Sequence, residues 1–204
     1  MDRRTLVAAA LGAAFAGSVS AQPIVELAGV KYPPALPLAG SHLLLNGAGI
    51  RYKFVIKVYT AGLYLPAKAT TPEQIYAMPG PKRMHIVMLR DIDANELGRL
   101  FTRGMEDNAS KEDFSKSIPG TIRMADLFSA KKKLAAGESF GVDWLPGTGT
   151  QVLVNGKPFG EPIKEPEFFL AVLRIWLGHK PADQGLKEAL LGREARPPGS
   201  SGQQ

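Results

Sequence analysis

The chain has 204 residues, 45% of them apolar and 22% charged, a balance that suits one domain with a sizeable core better than two. Its formal charge of +6 is spread thinly, and the densest basic run, Lys131 to Lys133, follows an amphipathic segment, so a solvated helix end is expected and nucleic acid is not an expected partner. Cysteine is absent, which removes disulfides, thiolate metal sites and cysteine nucleophiles together.

At the N-terminus, Arg3 and Arg4 precede an apolar run from Leu6 to Phe15, then small residues, then Val19-Ser20-Ala21 before Gln22. That order is the charged, apolar and cleavage-site pattern of a secretory signal peptide. The apolar run falls short of the roughly 20 residues that span a bilayer, so no stable membrane span is expected after cleavage. Asp2 before the arginines and Thr5-Leu6 after them favour general export over the twin-arginine route. Residues 1–21 are thus expected to be a signal peptide and 22–193 one folded domain. Residues 194–204, rich in Pro, Gly, Ser and Gln, have nothing to bury and are expected to be a disordered tail. A cysteine-free exported domain of this size points to a periplasm.

Pro23 to Leu45 alternates short apolar stretches with Pro and Gly, predicting one or two edge strands around Tyr32-Pro33-Pro34. Arg51 to Leu65, with Phe54, Val55, Ile56, Val58 and Tyr59 nearly continuous, predicts a strand covered on both faces. Thr71-Pro72-Glu73-Gln74 supplies an N-cap, a first-turn proline and a capping-box partner for a helix that Pro79-Gly80 closes. Lys82 to Leu89 predicts another strand. Asp93 opens a helix to about Asn108 with Leu97, Leu100, Phe101 and Met105 inward.

A further helix is predicted from about Ile122 to Leu134, with Ile122, Met124, Leu127 and Phe128 inward. Ser139 to Phe159 predicts an antiparallel meander, because Asn155-Gly156 suits a type I′ hairpin turn whose central residues need positive φ. Pro166 opens a helix through Phe169, Val172, Leu173 and Trp176 that ends at Gly178, where a left-handed cap is expected. Asp183 starts a last helix with Leu186, Leu190 and Leu191. Strands at both ends with helices between and after them predict an α+β fold, an antiparallel sheet with helices packed on one face.

His42, His85 and His179 lie in separate segments without metal-site spacing, so neither a metal nor a cofactor is expected. One placement stands out: Asn46-Gly47-Ala48-Gly49-Ile50-Arg51 runs straight into the apolar strand. The glycines allow close backbone approach, and an arginine there needs acceptors for its five donors. A carboxylate or phenolate guest fits that fork; a surface arginine, or one paired to a protein carboxylate, fits the sequence too.

The stretches Leu45 to Arg51, Lys57 to Leu65, Phe101 to Asn108, Gly156 to Gly160 and Ile175 to Gly178 resemble the chalcone isomerase superfamily, in particular its bacterial exported chalcone-isomerase-like branch. The resemblance implies an open-faced sandwich, a large antiparallel sheet with a helical layer over a ligand cleft. In the plant enzymes an arginine grips a phenolate while hydroxyls polarise a carbonyl, chemistry made of positioning and enolate stabilisation. Carried over, the arginine falls on Arg51 and the family's asparagine on Asn108. The catalytic tyrosine position holds Phe101, the strand threonine position holds Tyr59 with Thr60 beside it, and the late helix hydroxyl position holds Ile175. Each lost donor costs on the order of 10²-fold in rate, so plant-type activity is not expected.

Some relatives resemble fatty-acid-binding proteins in which the same arginine holds a carboxylate. The resemblance therefore implies an exported, non-catalytic binder of a fatty acid or similar small hydrophobic carboxylate or phenolic ligand. Arg51, Tyr59, Thr60, Phe101, Asn108, Ile175 and Trp176 are its candidate contacts. The alternatives are an isomerase (intramolecular lyase) acting on a chalcone-like or other unsaturated carbonyl, with Arg51, Tyr59 and Asn108 as candidate catalytic residues, and a structural or partner-binding periplasmic protein whose partner the sequence does not name.

Overall fold

The computed structural model describes residues 23–193; the expected signal peptide and C-terminal tail lie outside the described residues. The strands are β1 (Val25–Leu27), β2 (Val30–Tyr32), β3 (Ala35–Leu38), β4 (Ser41–Lys53), β5 (Ile56–Leu65), β6 (Lys82–Met88), β7 (Ile92–Asp93), β8 (Lys133–Leu134), β9 (Ser139–Leu145), β10 (Gly149–Val154) and β11 (Lys157–Pro158). The helices are α1 (Pro72–Ala77), α2 (Ala94–Asn108), α3 (Lys111–Lys131), α4 (Pro166–Leu177) and α5 (Gln184–Leu190).

Seven strands form one sheet in the order β11-β10-β9-β6-β5-β4-β3, every neighbouring pair antiparallel. Side chains alternate across a strand, and β5 shows what each face meets. Tyr59, Ala61, Leu63 and Leu65 join the main core with residues of the helices. Thr60 and Gly62 face the other way: Thr60 Oγ1 accepts from the Tyr32 hydroxyl at 2.7 Å, and a Cβ on Gly62 would lie 2.5 Å from the Tyr32 ring. The helices thus cover one face, as expected, and the β1–β2 hairpin covers part of the other.

Four sequence expectations need correction. Arg51 to Leu65 is not one strand, because a two-residue turn at Phe54-Val55 splits it and leaves both side chains exposed. Nothing there carries the Gly, Asn or Asp that usually marks such a turn, so the apolar run imitates a covered strand. Arg51 therefore sits near the end of β4. The covered run is Val58 to Leu65.

Helix α3 begins eleven residues before the predicted start, at Lys111, where Ser110 Oγ accepts from the Asp113 amide at 3.0 Å. Pro119-Gly120 imitates a stop signal inside it. The helix nonetheless continues through Pro119, and the next residue, Gly120, lets it press on α4, where a Cβ would lie 2.6 Å from the Phe168 ring. Met124 and Phe128 are buried as expected and Leu127 packs against the core, but Ile122 is exposed, and Ser117, Gly120 and Thr121 of the earlier turns extend the buried stripe. Leu100, expected inward on α2, is 41% exposed. Gly178 caps α4 with extended backbone rather than a left-handed turn, at φ −71°. Its lack of a side chain matters instead because the Asn108 carboxamide lies where a Cβ would be.

Candidate functional site

The site begins with a bulge. Arg51 pairs with Tyr59 and Tyr52 with Lys57, which leaves Val58 as an extra residue on β5. A bulge lets consecutive residues turn to one face and re-aims their side chains. Val58 and Tyr59 both join the helix-side core, and both line a cavity of about 210 Å³ beneath α2. Leu97, Leu100, Phe101 and Gly104 of α2 form its roof, with Ile175 of α4 and Lys180 to Ala182 closing the wall.

Arg51 is half-buried and its guanidinium stands over the Tyr59 ring, 5.6 Å from the centroid. Among the described residues it forms no ion pair and no hydrogen bond. The same side chain lines a second space of about 310 Å³, with Lys53, Arg90, Asp91, Asp93 and Glu96. Arg51, Val58, Ile92 and Leu100 border both. An inner chamber of apolar side chains rimmed by Arg103, Asp107 and Lys180 therefore meets a charged outer vestibule at Arg51.

Tyr59 is 3% exposed, and its hydroxyl accepts from Trp176 Nε1 at 2.8 Å. Burial pushes its pKa up to about 12, against the opposing pull of Arg51 and the Trp176 bond and with a small push from Asp183. The phenol thus keeps its proton at neutral pH, and among the described residues that proton has no acceptor. An unshared guanidinium and an uncommitted O–H beside apolar walls can together hold a carboxylate, a phenolate or an enolate.

Arg51, Tyr59, Phe101 and Ile175 are thus brought together around one chamber. Trp176 is fully buried behind Tyr59 and orients it rather than forming wall. Asn108 does not reach the chamber: its Nδ2 donates to the Gly104 and Lys180 carbonyls at 2.8 and 2.9 Å, and its Oδ1 accepts from the Lys180 amide at 2.7 Å. It pins the start of the loop that closes the wall. Thr60 points to the opposite face of the sheet, bonded to Tyr32, and leaves the candidate contact set.

The Asn46-Gly47-Ala48-Gly49 motif has a different occupant from the one its glycines suggested. Asn46 sits at another bulge, its Nδ2 donating to the Ala69 and Leu190 carbonyls at 2.9 and 2.7 Å and its Oδ1 accepting from the Ala69 amide at 2.8 Å. A Cβ on Gly49 would lie 2.7 Å from the Ala189 methyl, and one on Gly47 would strike the Ala189 carbonyl. The close approach is that of α5. Sequence reasoning missed the Val58 bulge and the wall residues Ile92, Leu97 and Lys180 to Ala182. Leu97 carried a helix-stripe signal, whereas Ile92 lies in the two-residue strand β7 and Lys180 to Ala182 in a connector, both too short to carry one.

A family model described as chalcone isomerase-like matches residues 24–192. The chain belongs to the chalcone isomerase-like family. Among solved structures, this chalcone isomerase-like chain superposes on the crystal structure of an Arabidopsis thaliana fatty-acid binding protein with a TM-score of 0.64. The match covers 83% of this chain and 96% of that one at 16% identity, a likeness of fold. No curated protein sequence matches it.

Proposed function

We propose that this protein binds a small hydrophobic carboxylic acid of the fatty-acid type and does not turn it over. The observation that carries the reading is Arg51, a half-buried cation in no ion pair among the described residues, stacked on Tyr59 where a chamber with apolar walls meets a charged vestibule. Arg51 grips the carboxylate, Tyr59 donates to it, and the chain enters the chamber beneath α2. A solved neighbour described as a fatty-acid binding protein supports the same guest on this fold.

Holding is favoured over isomerase chemistry because Phe101 and Ile175 present carbon where the resemblance places hydroxyls. Of the positions the resemblance assigns to catalysis, Arg51 and Tyr59 alone keep a donor at the chamber, too few for the carbonyl activation that the plant reaction needs. The basic and apolar start of the chain supports export to a periplasm, where such a binder would carry or buffer its acid.

Native mass spectrometry of the purified protein and calorimetric titration with octanoate and palmitate test the reading. A bound acid is expected, with affinity reduced at least about tenfold by Arg51→Ala, since a hydrogen bond to a charged group contributes about 1.5–3 kcal/mol. A protein that carries no organic acid and gives no heat with either one would refute it.

A further inference from the structure

At the tip of the β4–β5 hairpin, Phe54 and Val55 are 87% and 88% exposed and Ile56 is 46% exposed. These are three consecutive apolar side chains, and neither main core cluster includes them. The backbone does not explain them either. Phe54 occupies the first central position of a two-residue turn at φ 57°, where the left-handed region favours glycine and is unfavourable for a bulky side chain. The position thus holds an aromatic ring that contributes little packing and strains the turn.

Exposed lysines flank the tip on both strands, Lys53 and Lys57. Neither forms an ion pair among the described residues, and Arg90 nearby forms none. Of the carboxylates in the vestibule, Asp91 is paired to Lys133 at 2.5 Å and Asp93 caps α2 by accepting from the Glu96 amide at 2.9 Å; Glu96 faces the same space. We propose that this tip docks on an anionic lipid bilayer, with Phe54, Val55 and Ile56 entering the headgroup boundary and Lys53 and Lys57 meeting lipid phosphates.

Apolar residues at a protruding point, bracketed by cations, are the arrangement that interfacial anchoring uses. A second copy fits less well. A two-fold tip-to-tip dimer would bring the lysines of both copies together. A three-residue point also falls well short of the roughly 800 Å² per partner of a specific protein interface, whose centre is depleted of lysine. Lys53 also lines the vestibule beside Arg51, so docking turns the cavity mouth toward the bilayer. The docking stands apart from the ligand reading.

The test is co-sedimentation of the purified protein with vesicles of phosphatidylcholine alone or with about one-third phosphatidylglycerol, at low and high salt. Binding is expected to the anionic vesicles and to weaken with salt. The Lys53→Gln/Lys57→Gln variant is expected to lose roughly tenfold on anionic vesicles alone. Phe54→Ser/Val55→Ser is expected to lose at least about tenfold. Phe54→Gly relaxes the turn, so it should melt no lower than wild type while still losing vesicle affinity. Fatty-acid binding in vesicle-free solution, measured on the Phe54 variants, whose replaced residues line neither space, is expected to be unchanged, so either reading can fail alone. No sedimentation at low salt, or equal sedimentation of wild type and the Phe54 variants, overturns the proposal. So does a dimer in solution that the Phe54 variants dissolve while vesicle binding persists.

Discussion

Trp176 Nε1 donates to the Tyr59 hydroxyl at 2.8 Å, so the indole fixes the lone-pair side of the phenol and leaves its proton to be given elsewhere. Tyr59→Phe removes that donor without changing the chamber's shape. It is expected to weaken binding of a carboxylate by roughly tenfold or more. Trp176→Phe leaves the phenol in place but unaligned, and a severalfold loss is expected. Because Trp176 is fully buried, its replacement should also lower stability by about 1–3 kcal/mol. Calorimetry and urea titration on both variants separate the two effects. Equal affinity of Tyr59→Phe and wild type would remove the phenol from the site.

Asn46 and Gly47 are expected to matter for stability through α5. Asn46→Ala strands the buried Ala69 amide and the Ala69 and Leu190 carbonyls that its side chain satisfies, and a loss of about 2–4 kcal/mol is expected. Gly47→Ala places a methyl against the Ala189 carbonyl; backbone cannot step aside as a flexible side chain can, so a comparable loss is expected. Urea denaturation measures both. A Gly47→Ala protein as stable as wild type would mean that α5 does not rest on this strand.

The architecture was legible where local chemistry and burial agreed. The capping box at Thr71 and Gln74, the Asp93 cap and the Asn155-Gly156 turn each satisfy orphan backbone groups or positive φ by themselves, and each stands where the sequence placed it. Arg51 was legible as an unusual cation. What escaped was decided by distant partners: α5 claims the glycines near Asn46, Phe168 of α4 claims Gly120 just past Pro119, and Asn108 spends its carboxamide on the Lys180 backbone. The Phe54 turn escaped for the opposite reason. Its residues contradict their backbone, and hydrophobic pattern alone assigned them to the interior.

Alkaline titration offers a test of burial. Tyr59, Tyr64 and Tyr76 are each pushed up to about 12, and Tyr32 higher still, in every case chiefly by burial. These are four of the five tyrosines. The unfolded chain loses these protons near its ordinary value of about 10 while the folded chain retains them. Between those values the folded state binds more protons, so stability is full below about 10 and falls as pH rises toward 12. Phenolate absorbance is therefore expected to rise mainly with cooperative loss of circular dichroism. A smooth rise of most of the signal while the fold persists would contradict the buried placement.

Phe101 joins the core to the cavity. Its ring meets those of Phe128, Phe140 and Trp176 edge-on, with centroids 5.6, 5.6 and 5.4 Å away, and it also lines the chamber. Phe101→Ala should cost about 3–5 kcal/mol, since the packed rings cannot collapse into the space. The same change enlarges a chamber of about 210 Å³, which at about 30 Å³ for each water-sized group takes on the order of seven carbon groups. In the wild type, affinity is accordingly expected to level off near octanoate, because a longer chain must turn back toward the charged vestibule. In Phe101→Ala the plateau should move to longer acids as the chain occupies the vacated volume, and bound ligand should restore part of the lost stability. Calorimetry across a chain-length series and melting with and without ligand check this. An unchanged plateau would place the alkyl chain somewhere other than beneath α2.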